Sequence, residues 1–171
     1  MAVAIAGTPT NVADGGTYTA EAGSDRLVVA IAMAESASNR TWTAWTWGGT
    51  GGHFVVRDGG TNGGVENAEI WYWLESEIQA GAQTSDPTPS GTVNGPIYRF
   101  FTLTGVDQTT PIDTSGTGEA ASGTTGNITN GLDTVEFIIA ACVRSGSTAS
   151  ETWTSPLATD TNAASGSVFD Y

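Results

Sequence analysis

The chain contains no lysine, one histidine and one cysteine. Its 18 acidic residues are balanced by only five arginines, so the formal net charge at pH 7 is -13. Proteins that bind nucleic acid or anionic lipids need clustered Lys and Arg, because the release of counterions from the phosphates drives that binding. No such cluster occurs here, and the sequence therefore predicts neither nucleic acid nor a membrane as a partner.

The single cysteine, Cys142, excludes an internal disulfide, so the fold must be held by packing alone. No apolar run approaches the roughly 18 residues that a membrane-spanning helix requires. Residues 1–7 include no basic side chain ahead of their short apolar stretch, which is unlike a secretory signal. These absences predict a protein that is assembled in the cytoplasm where it is made.

Short apolar runs rich in Val, Ile, Trp, Phe and Thr alternate with stretches rich in Gly, Ser, Thr and Asn. This pattern is typical of many short strands joined by turns, and helical periodicity is nearly absent. A length of 171 residues matches one domain with one core. We therefore predict a single all-β domain over residues 1–171, with little or no helix.

The continuously apolar segment 27–34 and the similar segment 135–143, in which Glu136 is the one charged residue, are predicted to be strands buried on both faces, because they are too short for typical helices. Alternating patterns predict further strands at 41–47, 67–75 and 97–104. Weaker strands are predicted at 17–20, 53–57, 151–154 and 166–170. Pro87 and Pro89 predict an edge, because proline has no N–H to donate to a neighbouring strand.

Turns are predicted where residues that accept positive φ follow one another. They are Asp14-Gly15, Gly48-Gly49, Asp58-Gly59, Asn62-Gly63, Asn94-Gly95 and Asn130-Gly131.

The aromatic residues permit two interpretations. In segment 67–75, Trp71 and Trp73 alternate with apolar residues and share a face with Glu69 and Glu75; in segment 41–47, Trp45 and Trp47 are predicted to lie opposite Trp42. Exposed indoles on a sheet suit protein contacts or the stacking of sugar rings. Alternatively the same indoles fill the core, which a domain without disulfides favours.

No set of residues predicts an enzyme. His53 is the only histidine, and Cys142 lies in an apolar segment where its thiol would be inert. Glu69 and Glu75 have the composition of a glycosidase carboxylate pair, but alternating Glu and Trp is equally typical of a sheet face at an interface. Oxygen ligands suited to calcium occur without an Asp-rich repeat that would define a site, at Asp58, Asn62, Glu66, Asp107 and Asp113. We predict no catalytic residues, no metal and no cofactor.

Five strings occur in one order along the chain: Arg26-Leu27-Val28-Val29-Ala30, Trp47-Gly48-Gly49, Ala68-Glu69-Ile70-Trp71-Tyr72, Leu103-Thr104-Gly105-Val106-Asp107-Gln108-Thr109-Thr110-Pro111-Ile112-Asp113 and Phe137-Ile138-Ile139-Ala140-Ala141. Together they resemble a jelly-roll family of bacteriophage virion proteins, which also occurs as domains of large secreted bacterial proteins. The resemblance spans residues 24–145, and its most specific part is 105–111.

The resemblance implies a two-sheet antiparallel jelly-roll sandwich with no catalytic residues attached. It also implies a closing strand beyond Tyr171. The leading expectation is a capsid decoration (cement) protein on the outer surface of a phage head, assembled in the host cytoplasm. Its expected partners are the major capsid protein and further copies of itself, in a homotrimer or another symmetric homo-oligomer.

The alternative expectation is a carbohydrate-binding module of a tail or fibre that attaches to the host. Both expectations require exposed aromatic side chains. The candidates for interface or glycan contact are Trp45, Trp47, Trp71, Trp73, Phe169 and Tyr171.

Overall fold

The structure is a computed structural model that describes residues 3–35, 40–59, 66–113, 115, 139–143, 159–162 and 167–170. The strands in these ranges are β1 (Ala4–Val12), β2 (Thr17–Thr19), β3 (Leu27–Glu35), β4 (Trp42–Trp47), β5 (Thr50–Gly51), β6 (His53–Gly59), β7 (Glu66–Leu74), β8 (Ala82–Pro89), β9 (Asn94–Thr104), β10 (Ala140–Val143), β11 (Thr159–Asn162) and β12 (Ser167–Asp170). One 3-10 turn, Glu75–Glu77, is the only helical element in this described part of the chain.

Nine of these strands form two sheets that pack face to face. One sheet has the order β1-β9-β3-β7-β6 and the other has the order β2-β8-β4-β5, with every neighbouring pair antiparallel. A three-stranded sheet, β10-β12-β11, follows in the chain. The prediction of an all-β, two-sheet antiparallel sandwich with little or no helix is confirmed.

Strand β3 lies at the centre of the five-stranded sheet and is buried on both faces, as predicted. Its residues Leu27 to Ala34 are all between 0% and 3% exposed. Val28, Ala30 and Ala32 face the other sheet, whereas the alternate residues of β3 face the opposite side.

Two apolar clusters therefore flank the five-stranded sheet. The sandwich core lies between the two sheets and contains most of the aromatic residues of the described chain. The second core covers the opposite face and contains Leu27, Val29, Ile31, Met33, Phe101, Leu103 and Val106. Ile139, next to β10, packs against this second core, so the segment that leads into the C-terminal sheet helps to cover it.

The indole of Trp45 lies at the centre of the sandwich core. Its ring centroid is 5.2 Å from that of Tyr98, 5.6 Å from that of Phe100 and 6.1 Å from that of Trp73. All three contacts are edge-to-face, the geometry that the aromatic quadrupole favours. The two sheets are thus joined by aromatic rings.

The expectation that Trp42 lies opposite Trp45 and Trp47 is wrong. The register between β4 and β8 shifts between Trp42 and Ala44, so one residue is inserted in the alternation. Thr43 and Ala44 are both exposed, and Trp42 turns into the sandwich core with the other two indoles.

Most strand predictions that fall on described residues are confirmed. Segments 17–20, 27–34, 41–47, 53–57, 67–75 and 97–104 correspond to β2, β3, β4, β6, β7 and β9, and parts of 135–143 and 166–170 form β10 and β12. Segment 151–154 lies outside the described residues. Strands β1, β5, β8 and β11 were not predicted.

The turn predictions are confirmed only in part. Asp14-Gly15 and Gly48-Gly49 lie in turns, and the two glycines of the second turn have φ of +60° and +79°. Asp58-Gly59 forms the end of β6, next to residues outside the described set, and Asn94-Gly95 forms the start of β9 and not a turn between strands. The other two pairs lie outside the described residues. Pro87 and Pro89 lie in β8 beyond the stretch that pairs with β2, which agrees with an edge position.

Replacing Trp45 with Ala should lower the free energy of unfolding by about 3–5 kcal/mol, because it leaves a large cavity among the rings of Trp71, Trp73, Tyr98 and Phe100. Urea unfolding followed by far-ultraviolet circular dichroism measures this change. Thr84→Ala, at an exposed position of β8, is the control and should change stability by less than about 0.5 kcal/mol. Equal effects of the two substitutions would contradict the central role of Trp45.

Candidate functional site

The structure places all four tryptophan candidates inside the sandwich core. Trp45, Trp47, Trp71 and Trp73 are 1%, 0%, 6% and 0% exposed. Each indole N–H donates to an internal acceptor. Trp45 donates to Ser85 Oγ, Trp47 to the Tyr18 carbonyl, Trp71 to Glu69 Oε2 and Trp73 to the Thr50 carbonyl. A sugar-binding platform needs exposed ring faces, so these four rings do not form one, and the core interpretation is correct.

The two remaining aromatic candidates lie near the C-terminus. Phe169 lies in β12, where its backbone pairs with Ala141 of β10 and Thr161 of β11, and its side chain is outside the described set. Tyr171 lies outside the described residues. Their part in any contact stays a prediction.

A buried carboxylate joins the two sheets. Glu69 of β7 is 1% exposed; its Oε1 accepts the backbone N–H of Trp42 on β4 at 3.0 Å, and its Oε2 accepts the indole N–H of Trp71 at 2.9 Å. Burial raises the pKa of Glu69 above its ordinary 4.5, opposed by these two hydrogen bonds and by the positive charge of Arg57. The alternation of Glu and Trp in β7 thus belongs to the interior and not to an exposed face.

The second carboxylate of the predicted pair has a different role. Glu75 forms a bidentate ion pair with Arg26, with Nε to Oε2 at 2.9 Å and Nη2 to Oε1 at 2.5 Å, and also accepts the Arg26 backbone N–H at 2.7 Å. The hydrogen bond from Arg26 lowers the pKa of Glu75. Gln108 closes this arrangement, since its Oε1 accepts the Glu75 N–H at 2.9 Å and its Nε2 donates to the Arg26 carbonyl at 3.1 Å.

The loop at residues 105–110, the most specific part of the family resemblance, is therefore a structural clasp. Gly105 has φ of +72°, and its N–H donates to the Ser24 carbonyl at 3.1 Å. Val106 is buried in the second core. Asp107 Oδ1 accepts the backbone N–H groups of Thr109 and Thr110 at 2.7 Å and 3.3 Å, and these bonds lower its pKa.

Glu69 and Glu75 are not positioned to act on one substrate. Six residues of extended chain separate them, which corresponds to about 20 Å along the strand. Glycosidase carboxyl groups lie about 5–9.5 Å apart. Glu69 thus lies in the sandwich core, and Glu75 lies in the ion pair with Arg26 that Gln108 closes.

The only histidine is held at the surface by its neighbours. His53 Nε2 lies 2.8 Å from Glu77 Oε1, and its ring stacks on Tyr72 with 4.9 Å between centroids. The side chain of Cys142 lies outside the described set. Within the described ranges, no group of three or more His, Cys, Asp or Glu side chains is arranged to hold a metal ion.

One exposed site was not predicted from the sequence. Phe54 on β6 is 52% exposed, and it is the only exposed large hydrophobic side chain of the described chain. Its ring contacts the edge of Trp71 at 5.4 Å between centroids. The register of β6 shifts between Phe54 and Val56, so Phe54 pairs with Trp71 and Arg57 pairs with Glu69. Because of this bulge, Phe54 and Arg57 lie on the same face of the sheet.

Arg40 lies just before β4 and contacts β7 through its backbone. Its backbone N–H donates to Asn67 Oδ1 at 3.0 Å, and Asn67 is two residues from Glu69 on the same face of β7. Its guanidinium lies against Gly91, where an added Cβ would approach Nη1 to 2.8 Å, and the buried Nε makes no hydrogen bond within the described part of the chain.

Arg40 and Arg57 form no salt bridge with any described residue, although the charge of Arg57 acts on the Glu69 carboxylate. The ion pairs in that part of the molecule are Arg26 with Glu75 and His53 with Glu77. In a chain of net charge -13, Phe54 and Arg57 thus place an exposed aromatic ring and a cation on one face of the edge strand β6. Aromatic residues and arginine are the residue types enriched in protein interfaces.

The fold and these sites define a two-sheet β-sandwich whose aromatic residues are mainly internal. Comparison with protein-family models, with curated proteins and with solved structures finds no match for this chain. The resemblance to the virion family therefore stays a prediction. No helix in the described residues has the length and apolar character needed to cross a bilayer.

Replacing Glu69 with Ala should lower the free energy of unfolding by about 2–6 kcal/mol, because two buried N–H donors lose their acceptor at about 1–3 kcal/mol each. Urea unfolding at neutral pH measures the loss. Glu21→Ala, at an exposed position, is the control and should have an effect below about 0.5 kcal/mol. A change in Glu69→Ala as small as in the control would show that the carboxylate does not join the sheets.

The two carboxylates should affect the pH dependence of stability with opposite sign. Folded Glu69 keeps its proton to a higher pH than the unfolded chain, so its contribution is fully present below about pH 4.5 and is lost as pH rises through the raised pKa. Folded Glu75 loses its proton at a lower pH, so its contribution is present above about pH 4.5 and is lost as pH falls through the lowered pKa.

Unfolding free energies of the wild type, Glu69→Gln and Glu75→Gln, measured in urea from about pH 2 to pH 8, test these signs. Relative to the wild type, Glu69→Gln should gain stability as pH rises above about 4.5, and Glu75→Gln should gain stability as pH falls below it. Three parallel curves would contradict both assignments.

Proposed function

We propose that this chain is a non-enzymatic structural protein that decorates the outer surface of a bacteriophage head and strengthens the shell by protein contacts. The observation that carries the proposal is the division of aromatic residues in the described part: the tryptophans fill the sandwich core, while Phe54 on the edge strand β6 is exposed beside Arg57. This arrangement fits a binding surface better than a substrate cleft.

The order of strands supports the jelly-roll interpretation that underlies the proposal. Strands β1, β3, β7 and β9 lie in one sheet, and β2, β4, β5 and β8 lie in the other. The chain crosses repeatedly between the sheets, and the early strands β1 and β2 pair with the late strands β9 and β8. Such nesting of early and late strands is expected of a jelly roll, in which two Greek keys are wrapped into a sandwich.

The chemistry of the described residues supports a role without catalysis. The carboxylate pair of Glu69 and Glu75 is divided between two structural sites about 20 Å apart along the strand. His53 is held by Glu77 and Tyr72. Each of these side chains has a structural partner, so none needs a reaction to explain its position.

The charge of the chain supports assembly on a larger particle. A net charge of -13 keeps free copies apart in solution and favours a site of complementary charge on the shell. Stabilisation follows from mass action, because a protein that binds only the assembled shell raises the free energy needed to take it apart. The proposed partners are the major capsid protein and further copies of this chain, on heads assembled in the host cytoplasm.

Tail-less heads purified from particles that carry this chain test the proposal. The polypeptide should be present on these heads, and heads that lack it should disassemble at a lower urea concentration. Adding back the purified protein should restore resistance, because binding to the assembled shell is what stabilises it. Absence from heads together with presence in tails would refute the assignment and favour host attachment.

A further inference from the structure

We infer that Phe54 and Arg57, which lie exposed on β6, act in opposite directions on the proton of the buried Glu69 carboxylate and so form a pH-sensitive connection between the edge strand and the sandwich core. The inference goes beyond the proposed function, because it concerns the free chain and holds for any partner that covers this edge. It follows from how each of the two exposed side chains reaches the carboxylate.

Arg57 reaches Glu69 through a direct cross-strand pair. Arg57 on β6 lies opposite Glu69 on β7, and residues opposite each other in an antiparallel pair point to the same face, with Cβ atoms about 4.5–5.5 Å apart. Arg57 is exposed, whereas Glu69 is 1% exposed. The guanidinium charge therefore acts on the carboxylate from the solvent side and favours its ionised form.

Phe54 reaches the same carboxylate through one indole. Its ring contacts Trp71 at 5.4 Å between centroids, and the Trp71 N–H donates to Glu69 Oε2 at 2.9 Å. Phe54 is 52% exposed, but Trp71 behind it is only 6% exposed. The Phe54 ring thus helps to keep water away from the indole and the carboxylate, and exclusion of water favours the protonated form.

The other groups around Glu69 add no charge. Among the described residues, Arg57 is the one charged group that acts on this carboxylate. Strand β4, packed against it, contributes the Trp42 backbone N–H and contains no charged side chain. Tyr98 of β9 lies in the same row two strands away, and burial raises its pKa, so its hydroxyl stays neutral. The Arg40 guanidinium lies against the connection between β8 and β9.

A partner that covers this edge would change both influences in one direction. A partner carboxylate bound to Arg57 offsets the guanidinium charge, and a partner surface on Phe54 excludes more water. Each change favours the protonated form of Glu69, so binding at the edge is accompanied by proton uptake in the core. By linkage, such binding tightens as pH falls through the pKa of Glu69.

Carbon-13 NMR of the glutamate carboxyl groups, recorded against pH on the full chain, tests the inference. Glu69→Gln assigns the resonance of this carboxyl. Arg57→Gln should raise the pKa of Glu69, because the opposing positive charge is lost, and Arg57→Lys should keep it near the wild-type value. Phe54→Ser should lower it, because water gains access to the carboxylate. A packing role alone would not give opposite shifts at two positions of one strand.

Urea unfolding against pH gives a second readout. The contribution of Glu69 to stability is fully present below about pH 4.5 and is lost as pH rises through its raised folded pKa. Arg57→Gln raises that folded pKa further, so this variant should lose stability relative to the wild type as pH rises. In a Glu69→Gln background the pH dependence of this loss should disappear.

Thr84→Glu provides a matched control, because it changes the net charge by -1, as Arg57→Gln does, at an exposed position of β8 in the other sheet. It should leave the pKa of Glu69 near the wild-type value. Circular dichroism of every variant checks that the fold is intact, which the exposure of Phe54 and Arg57 leads us to expect.

Three results would overturn the inference: a shift in Arg57→Gln no larger than that in Thr84→Glu, a Phe54→Ser shift in the same direction as that of Arg57→Gln, or a pH-dependent loss that persists in the Glu69→Gln background. All three are measured on the free chain. Whether the chain is present on phage heads therefore decides the proposed function separately.

Discussion

Burial of tryptophan between two sheets is the constraint on which this structure depends. Five indoles lie in the sandwich core, and each carries an N–H group that must find an acceptor away from water. The sheets supply acceptors from both sides: Glu69 and Ser85, themselves buried, the Tyr98 hydroxyl, and the carbonyls of Tyr18 and Thr50. The polar residues of the core are thus required by the aromatic ones, and the sheets are fixed relative to each other without a disulfide.

The strands that could be predicted from the sequence are those that carry large apolar side chains. The apolar run of β3 and the alternations of β7 and β9 identify these segments as strands from local pattern alone. The spacing of their apolar side chains shows whether one or both faces of the strand are buried. β1 and β8 contain mainly Ala, Gly, Thr, Ser and Pro. Such strands are stabilised chiefly by pairing with β9 and β4, and that pairing between distant segments leaves no periodic signal.

The orientation of side chains was less predictable than the strands. A bulge in β4 turns Trp42 towards Trp45, and a bulge in β6 places Arg57 beside Phe54. Each bulge adds one residue and so reverses the alternation beyond it, which is why faces inferred from a period of two fail there. The placement of Phe54 and Arg57 on one face depends on such a bulge, whereas the tryptophans that the sequence offered as contact residues lie in the core.

The most specific part of the family resemblance lies in a loop with a structural role. The string at residues 105–111 forms the clasp that ties Arg26 to Glu75 through Gln108, so its composition reflects the geometry of a strand end. Phe54 and Arg57 belong to none of the five strings. The resemblance in those strings therefore concerns the architecture of the fold.

The pairing of β1 with β9 has a consequence for the time course of folding. The Thr104 hydroxyl donates to the Ala4 carbonyl across 100 residues of sequence. β2 likewise pairs with β8, which follows it much later in the chain. The N-terminal strand therefore leaves the ribosome long before its only partner among the described strands exists. Closing such long loops costs chain entropy before any contact compensates for it, so this sandwich belongs with the slowly folding β topologies.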